Sequence, residues 1–392
     1  MVDEYLTREQ SGLKHFVLRK YLEAAARIIG TYKDIAYVDC CAGPWRSQKS
    51  DHSDTSFGIA IDVLRKASDE LQKRGKRPRF RALLIEQDAN AFSQLKDFAT
   101  STSLADVSVE AQNWDFTGHV GDIVRFAKGP KSFSFVFVDP KGWSLAEHKL
   151  LEPILQIEPG EVLINFMSSF VNRFVMDGRS DFTSLLGADF AKVADMQGDD
   201  REDEIVRRYC EAIRRVGKFK YVCALPVMNP QQDAFHFHLI YATRHPKGVE
   251  VFKAVEKNTE EETTKVRASV QQRKREQRGS SGELFAPEVL YREQRHKRLA
   301  KKNAALAQAA LWRLVRSGKV VSYDDCWAEA LQFATVRQEH LREWLSAAES
   351  RGVISCLGRK VPNEVLKIGG RHSIKFLGRD SEASEPIPPT TP

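Results

Sequence analysis

Over its first two-thirds the chain alternates between two rhythms of apolar residues. Short apolar-rich runs at 36–38, 81–85, 107–111, 133–138 and 161–167 predict strands, and the first fits a strand buried on both faces, as at the centre of a parallel sheet. Between them apolar positions recur at helical spacing. The clearest case is 11–29, where Leu13, Phe16, Val17, Tyr21, Leu22, Ala25 and Ile28 share one face. Further helices are predicted over 56–73, 89–98, 117–126, 147–155, 182–190 and 203–216. Two β-rich runs, 221–227 and 235–243, flank the polar Asn229-Pro230-Gln231-Gln232-Asp233 and predict an antiparallel hairpin. Five β/α units closed by a hairpin predict an α/β, Rossmann-like sheet.

The pattern changes near residue 260. Up to 302 the sequence is polar and charged, broken by Gly279-Ser280-Ser281-Gly282, and reads as a basic helical connector. Beyond it, helices are predicted over 304–317, 323–331 and 335–351. A strand pair follows at 353–357 and 373–377, around a loop holding Gly358, Arg359, Lys360, Gly369 and Arg371. Three helices and a basic hairpin predict a winged helix-turn-helix. Its third helix would offer Arg337, Gln338, His340 and Arg342 to a major groove, with Arg359, Lys360 and Arg371 on the wing. Protein docking is the other use of such a module. The expected organisation is a sheet domain over 1–258, a connector over 259–302, the winged helix over 303–378, and a Ser/Pro/Thr-rich, disordered tail over 379–392.

Three of the predicted strands end in a carboxylate. The first runs into Asp39-Cys40-Cys41-Ala42-Gly43-Pro44, the second into Glu86-Gln87-Asp88, and the fourth into Asp139-Pro140-Lys141-Gly142-Trp143. In open α/β sheets the ligand lies in the crevice beyond the carboxyl ends of the strands. Asp39, Ala42, Gly43 and Pro44 therefore border a nucleotide-like cofactor site, and Gly43 lets backbone approach the ligand. Glu86, with Gln87 beside it, stands where an acid accepts from both hydroxyls of a ribose. Asn113 and Asp115, after the third strand, either read an adenine amino group or cap the next helix. Lys14 and His15 either reach the pocket from the first helix or decorate its surface. Asp139 either accepts from a target amine or caps a turn, and Trp143 either stacks on a base or packs in the core. His236 and His238 have no third ligand at hand, and no metal site is expected.

Charge and cysteine usage refine this picture. A net charge of +7, with Lys and Arg gathered between 265 and 302, supports nucleic acid as a partner, and the winged helix makes DNA rather than RNA the expected one. Six scattered cysteines without CxxC spacing fit reduced thiols in a cytoplasmic protein. The polar first ten residues do not read as a signal peptide, no apolar stretch reaches transmembrane length, and no membrane partner is expected.

Taken together, Lys14-His15 with Tyr21-Leu22, Asp39 to Pro44, Ile85-Glu86, Val138 to Trp143, Leu163-Ile164-Asn165-Phe166 and Ile240-Tyr241-Ala242-Thr243 resemble the three-Cys-motif partner (TcmP) family. The winged-helix ending resembles an extension that some members carry. The resemblance implies a class I methyltransferase sheet binding S-adenosyl-L-methionine (SAM), and a radical-SAM-like companion protein that bears the three cysteines. Two departures stand out: Cys41 and Trp45 replace a Phe and a Gly of the usual turn, and Thr55-Ser56-Phe57 replaces a G-S-P opening. The DPKGW stretch is similar to the D/N-P-P-Y/F turn of amino-directed methyltransferases, with Lys141 in the second Pro position. That likeness implies catalytic roles for Asp139 as acceptor from the amine, Pro140 as the shape of the turn and Trp143 as a stacking ring. The two functions implied are methylation of a nucleic-acid amino group, and a non-catalytic SAM- or nucleotide-binding partner that recruits the companion to DNA or RNA.

Overall fold

The computed structural model describes residues 9–43, 47, 49–129, 131–140, 142, 146–175, 185–186, 190–277, 294–318, 320–361 and 364–378. Two compact units emerge: Met1–Arg244 with Ala254–Arg292, and His245–Lys253 with Glu293–Pro392.

The first unit is built on seven strands: β1 (Asp34–Asp39), β2 (Phe80–Ile85), β3 (Val107–Gln112), β4 (Ser132–Val138), β5 (Gly160–Phe166), β6 (Tyr221–Met228) and β7 (Phe235–Thr243). Their order across the sheet is β3-β2-β1-β4-β5-β7-β6. β1 to β5 pair in parallel, whereas β7 runs antiparallel to both β5 and β6. A reversed seventh strand slotted between the fifth and sixth is the strand order of the class I methyltransferase sheet. The chain switches direction across the sheet between β1 and β4, the place where such sheets hold their ligands.

Period-two alternation sorts the side chains of each strand. Val38, Leu83, Ile85, Val136, Val138, Val162, Ile164 and Phe166 point to one face. There they form a core with α4 (Val120–Ala127), α5 (His148–Leu155), α6 (Ser168–Phe174) and α8 (Gly198–Gly217), while the short α7 (Phe190–Ala194) precedes α8. Tyr37, Phe135, Glu161 and Tyr241 therefore fall on the opposite face, with α1 (Glu9–Gly30) and α2 (Ser56–Lys73). α3 (Ala89–Thr102) adjoins α2 through an edge-on contact of Phe98 with Phe57 at 4.8 Å.

A buried polar knot fastens α1 to this face. Tyr21 of α1 stacks on Phe135 at 5.1 Å, its hydroxyl donates to Glu161, and it lies 2.7 Å from the Tyr241 hydroxyl. Thr243 Oγ1 donates to the other oxygen of Glu161 at 2.7 Å. Burial, and then the charge of Glu161, push the Tyr21 hydroxyl well above its ordinary pKa and keep it a donor. A carboxyl this deep is tolerated because its lone pairs are used.

The predicted strands and most helices of this unit agree with the structure to within a few residues. Most of 182–190, the Gly279–Gly282 break and the tail at 379–392 lie outside the described residues. No helix among the described residues is long and apolar enough to cross a membrane.

The second unit takes the first turns of α9 (Pro246–Gln277), then α10 (Gln294–Ser317), β8 (Val320–Ser322), α11 (Tyr323–Leu331), α12 (Gln338–Ser350), β9 (Ile354–Leu357) and β10 (Ser373–Phe376). The strands form an antiparallel sheet ordered β8-β10-β9. Leu311, Val315, Trp327, Leu331, Leu341, Leu345 and Ile374 are buried within the unit. α10 begins inside the stretch read as connector. α12 starts three residues later than periodicity predicts, because Thr335 holds a left-handed φ of 68° and cannot continue a helix. Arg337 is its extended cap, and its N–H donates to His340 Nδ1 at 3.0 Å, which commits that ring to the helix end.

Removing one partner of the Glu161 knot strands the others away from water. Glu161→Ala is expected to destabilise the fold by about 3 kcal/mol and Tyr241→Phe by about 1 kcal/mol. Urea unfolding of the full chain measures both, and equal effects would contradict the ranking.

Candidate functional site

The carboxyl ends of β1, β2, β4 and β5 bring four polar side chains to one edge of the sheet. By alternation Asp39, Glu86, Asp139 and Asn165 all belong to the α1 face. Two backbone bonds carry the ladder past the end of β1: Cys40 N–H donates to Phe137 O at 3.0 Å and Ala42 N–H to Ile85 O at 2.8 Å. The Asp39 to Gly43 turn is thereby seated between the ends of β2 and β4.

Asp39 is fully buried and saturated. Ser56 Oγ at the start of α2 donates to Oδ2 at 2.7 Å, Tyr37 OH donates to the same oxygen at 3.3 Å, and Cys41 N–H donates to Oδ1 at 3.2 Å. Burial lifts its pKa to about 6; Asp139 adds to the rise, while the hydrogen bonds from Ser56, Cys41 and Tyr37 restrain it. Cys41 lies among carboxylates. Burial first, then Cys40, Asp139, Asp39 and Glu86, hold its thiol well above the usual range, so it is neutral rather than a nucleophilic thiolate.

Glu86 is buried, 2 % exposed, and its Oε1 accepts from Asp88 N–H at 2.7 Å. Asn113 braces this turn: its Nδ2 donates to Glu86 O at 2.8 Å and to Gln87 O at 3.1 Å. Gln87 is exposed. Asp115 accepts from Thr117 N–H at 3.1 Å and caps the 3-10 turn Phe116–His119. Asp115 thus caps, and Asn113 has a use that was not expected of it, bracing the backbone of Glu86 and Gln87.

At the end of β4, both oxygens of Asp139 are engaged. Lys14 Nζ of α1 bonds Oδ2, and Asn165 Nδ2 from the end of β5 donates to Oδ1 at 2.7 Å. Lys14 thus reaches the crevice from the first helix, while His15 is half-buried in the same turn. Asn165 is 5 % exposed, and its own Oδ1 has no hydrogen-bond partner among the described residues. Burial, then the charge of Lys14, lower the pKa of His236, leaving a neutral ring near neutral pH. Pro140 is buried behind Asp139. Pro44, Trp45, Lys141 and Trp143 lie outside the described residues.

Sequence reasoning assigned no role to Asn165, Ser56 or Cys41. Asn165 carried a readable signal, a polar residue four positions after Glu161 in an apolar strand and so on the same face. Ser56 carried none, since its partner is set by how α2 returns over β1.

A second buried cluster resembles a hydrolytic triad in composition only. Ser168 Oγ lies 2.7 Å from His238 Nδ1 and donates to Glu202 at 3.0 Å. The serine sits between acid and imidazole and is fully buried, so it cannot act as a nucleophile.

In the second unit Arg342 and Arg371 are exposed, and Arg337 half-buried. Arg359 pairs with Glu349 at 2.9 Å, and the Lys360 backbone N–H donates to Glu364 at 2.5 Å, which steadies the loop that carries both cations.

No family model matches the sequence, and no curated protein does; the three-Cys-motif partner resemblance rests on its motifs. Among solved structures, the chain is similar to a dimethyladenosine transferase from Plasmodium falciparum at 10% identity and a TM-score of 0.28, over 86% of this chain and 96% of that one. It is also similar to a loganic acid methyltransferase with SAH at 11% identity and a TM-score of 0.28, over 63% of this chain and 88% of that one. At these scores neither likeness adds to the fold, which stands on the strand order.

Asp39 titrates higher folded than its ordinary value, so its protonation favours the folded chain. That contribution is complete below about pH 4 and is lost as pH rises through about 6. The unfolding free energy of wild type minus that of Asp39→Asn is therefore expected to fall by about 2 kcal/mol between about pH 4.5 and about pH 7. Denaturant titrations at the two pH values read the difference, and a constant gap would refute the buried titration.

Proposed function

We propose that this protein is a SAM-dependent methyltransferase acting on an amino group of a nucleic-acid base. The observation that carries the reading is the pair at the end of β4 and β5. Asn165 Oδ1 is a buried acceptor without a partner among the described residues, attached to Asp139 at the carboxyl edge where Glu86 ends β2. An unsatisfied buried acceptor costs about 1–3 kcal/mol, and an N–H donor entering the crevice relieves it.

The residues fit the cofactor. Glu86 would hold the ribose hydroxyls and the Asp39 to Gly43 turn would border the methionine end, with Lys14 and His15 above. SAM supplies, when bound, a methyl group activated by a sulfonium. The chain's part is positional: Asp139 and Asn165 accept from the target N–H groups and fix the nitrogen lone pair, and the neutral His236 is a base for the proton released.

The second reading, a non-catalytic SAM- or nucleotide-binding partner of a radical-SAM companion, is favoured by one observation. Lys14 and Asn165 already occupy both oxygens of Asp139, so catalysis requires Lys14 to yield its place. For the second unit, the order helix, strand, helix, helix, strand, strand supports the winged helix-turn-helix reading, with Arg342 and Arg371 toward duplex DNA.

Calorimetric titration with SAM, followed by transfer of labelled methyl to DNA and RNA, separates the two. Glu86→Ala is expected to weaken SAM binding by about 2–3 kcal/mol. Asp139→Ala is expected to abolish transfer while SAM affinity stays nearly intact. Wild-type protein that binds SAM yet methylates no nucleic acid, with or without the companion, gives the partner reading the place.

A further inference from the structure

The amino edge of the same sheet, opposite the crevice, carries a cleft of about 300 Å³. Its walls come from the turn before β1, the Gly75–Arg79 turn before β2, and Lys131 just before β4. Five cations line it, with Asp34 as the single acid among the lining residues.

Asp34 is already spent. Arg79 donates to it through its backbone N–H at 2.9 Å and through Nε at 3.1 Å, clamping the starts of β1 and β2 together. Lys33, Lys76, Arg77 and Lys131 remain. All four are exposed, and none makes an ion pair or side-chain hydrogen bond with another described residue. Four unpaired cations around one concavity repel one another within a Debye length of about 8 Å, a cost that no acid of the cleft offsets.

Their spacing is fixed by the sheet. Because β2, β1 and β4 are neighbours, their starts form a row at the inter-strand distance of about 4.8 Å, so the strand starts beside which the cations stand span about 10 Å. That is the axial length of about three stacked nucleotides. At the rim stands Tyr32, 81% exposed, the most exposed large apolar side chain described. An exposed ring beside a row of cations is the arrangement that grips single strands, whose bases offer free π-faces as those of a duplex do not.

We propose that this amino-edge cleft binds the phosphodiester backbone of a single-stranded nucleic acid, with Tyr32 stacking on a base. The site shares no residue with the carboxyl-edge crevice and does not depend on methyl transfer.

The test is fluorescence anisotropy of the full chain with labelled 12-nucleotide oligothymidylate and oligouridylate over a range of salt. Lys76→Ala/Arg77→Ala/Lys131→Ala is expected to weaken binding at least tenfold and to reduce the salt slope by about 2, at about 0.7 per phosphate contact. Tyr32→Ala is expected to lose about 5- to 160-fold in affinity without changing that slope, and Tyr32→Phe to restore the affinity. A preference for either oligonucleotide supports the site and tells RNA from DNA as its source. Unchanged affinity and slope in the triple variant overturn the proposal. So does a neutral Tyr32→Ala combined with equal losses for heparin and oligonucleotide, which would mark a general polyanion surface. Calorimetry with SAM on the same variants keeps the two edges apart: a failure of SAM binding in wild type touches only the crevice.

Discussion

The alternation of side chains along five parallel strands is the constraint on which the molecule depends. Once Val38, Leu83, Val136 and Val162 are committed to the core under α4, α5 and α8, the residues beside them have one destination. Asp39, Glu86, Asp139, Glu161 and Asn165 are all delivered to the face that α1 and α2 cover. A register slip of one residue in any strand would exchange acid for core. Chemistry and packing are therefore specified together, by the same parity.

Concentrating acids on one face is expensive, and the structure offsets the cost locally. Asp39 receives three hydrogen bonds, Asp139 a lysine and an amide, and Glu161 hydroxyls from two other elements. Among the described residues of this edge, Asn165 Oδ1 is an acceptor left over. Beside carboxylates that already have their partners, that acceptor is where a donor from outside has most to gain.

Much of this was legible in the residues. Apolar runs ended by Asp39, Glu86 and Asp139 announce strand ends on one edge of the sheet, and the hairpin at 221–243 announces the reversal that closes it. What was not legible depends on partners distant in the chain. Asn113 could as well have faced a base as the backbone of Glu86, and only the relative height of β2 and β3 decides. The start of α12 was misjudged because a left-handed Thr335 has no periodic signature. Where α10 begins was hidden by its charge, since a solvated connector helix and the first turns of a domain helix share the same composition.

α1 holds two positions at once. Lys14 sits on the crevice carboxylate while Tyr21, two turns on, is knotted to β5 and β7 through Glu161. Leu13, Val17 and Leu18 beside and between them are fully buried, so the helix itself is held along its length, and only the flexible Lys14 side chain can swing away from Asp139 while the knot stays closed. The latch is in this sense the lysine side chain, and not the helix that carries it. Ligand entry would then be timed by the breaking of one ion pair, and not by any unfolding of the sheet.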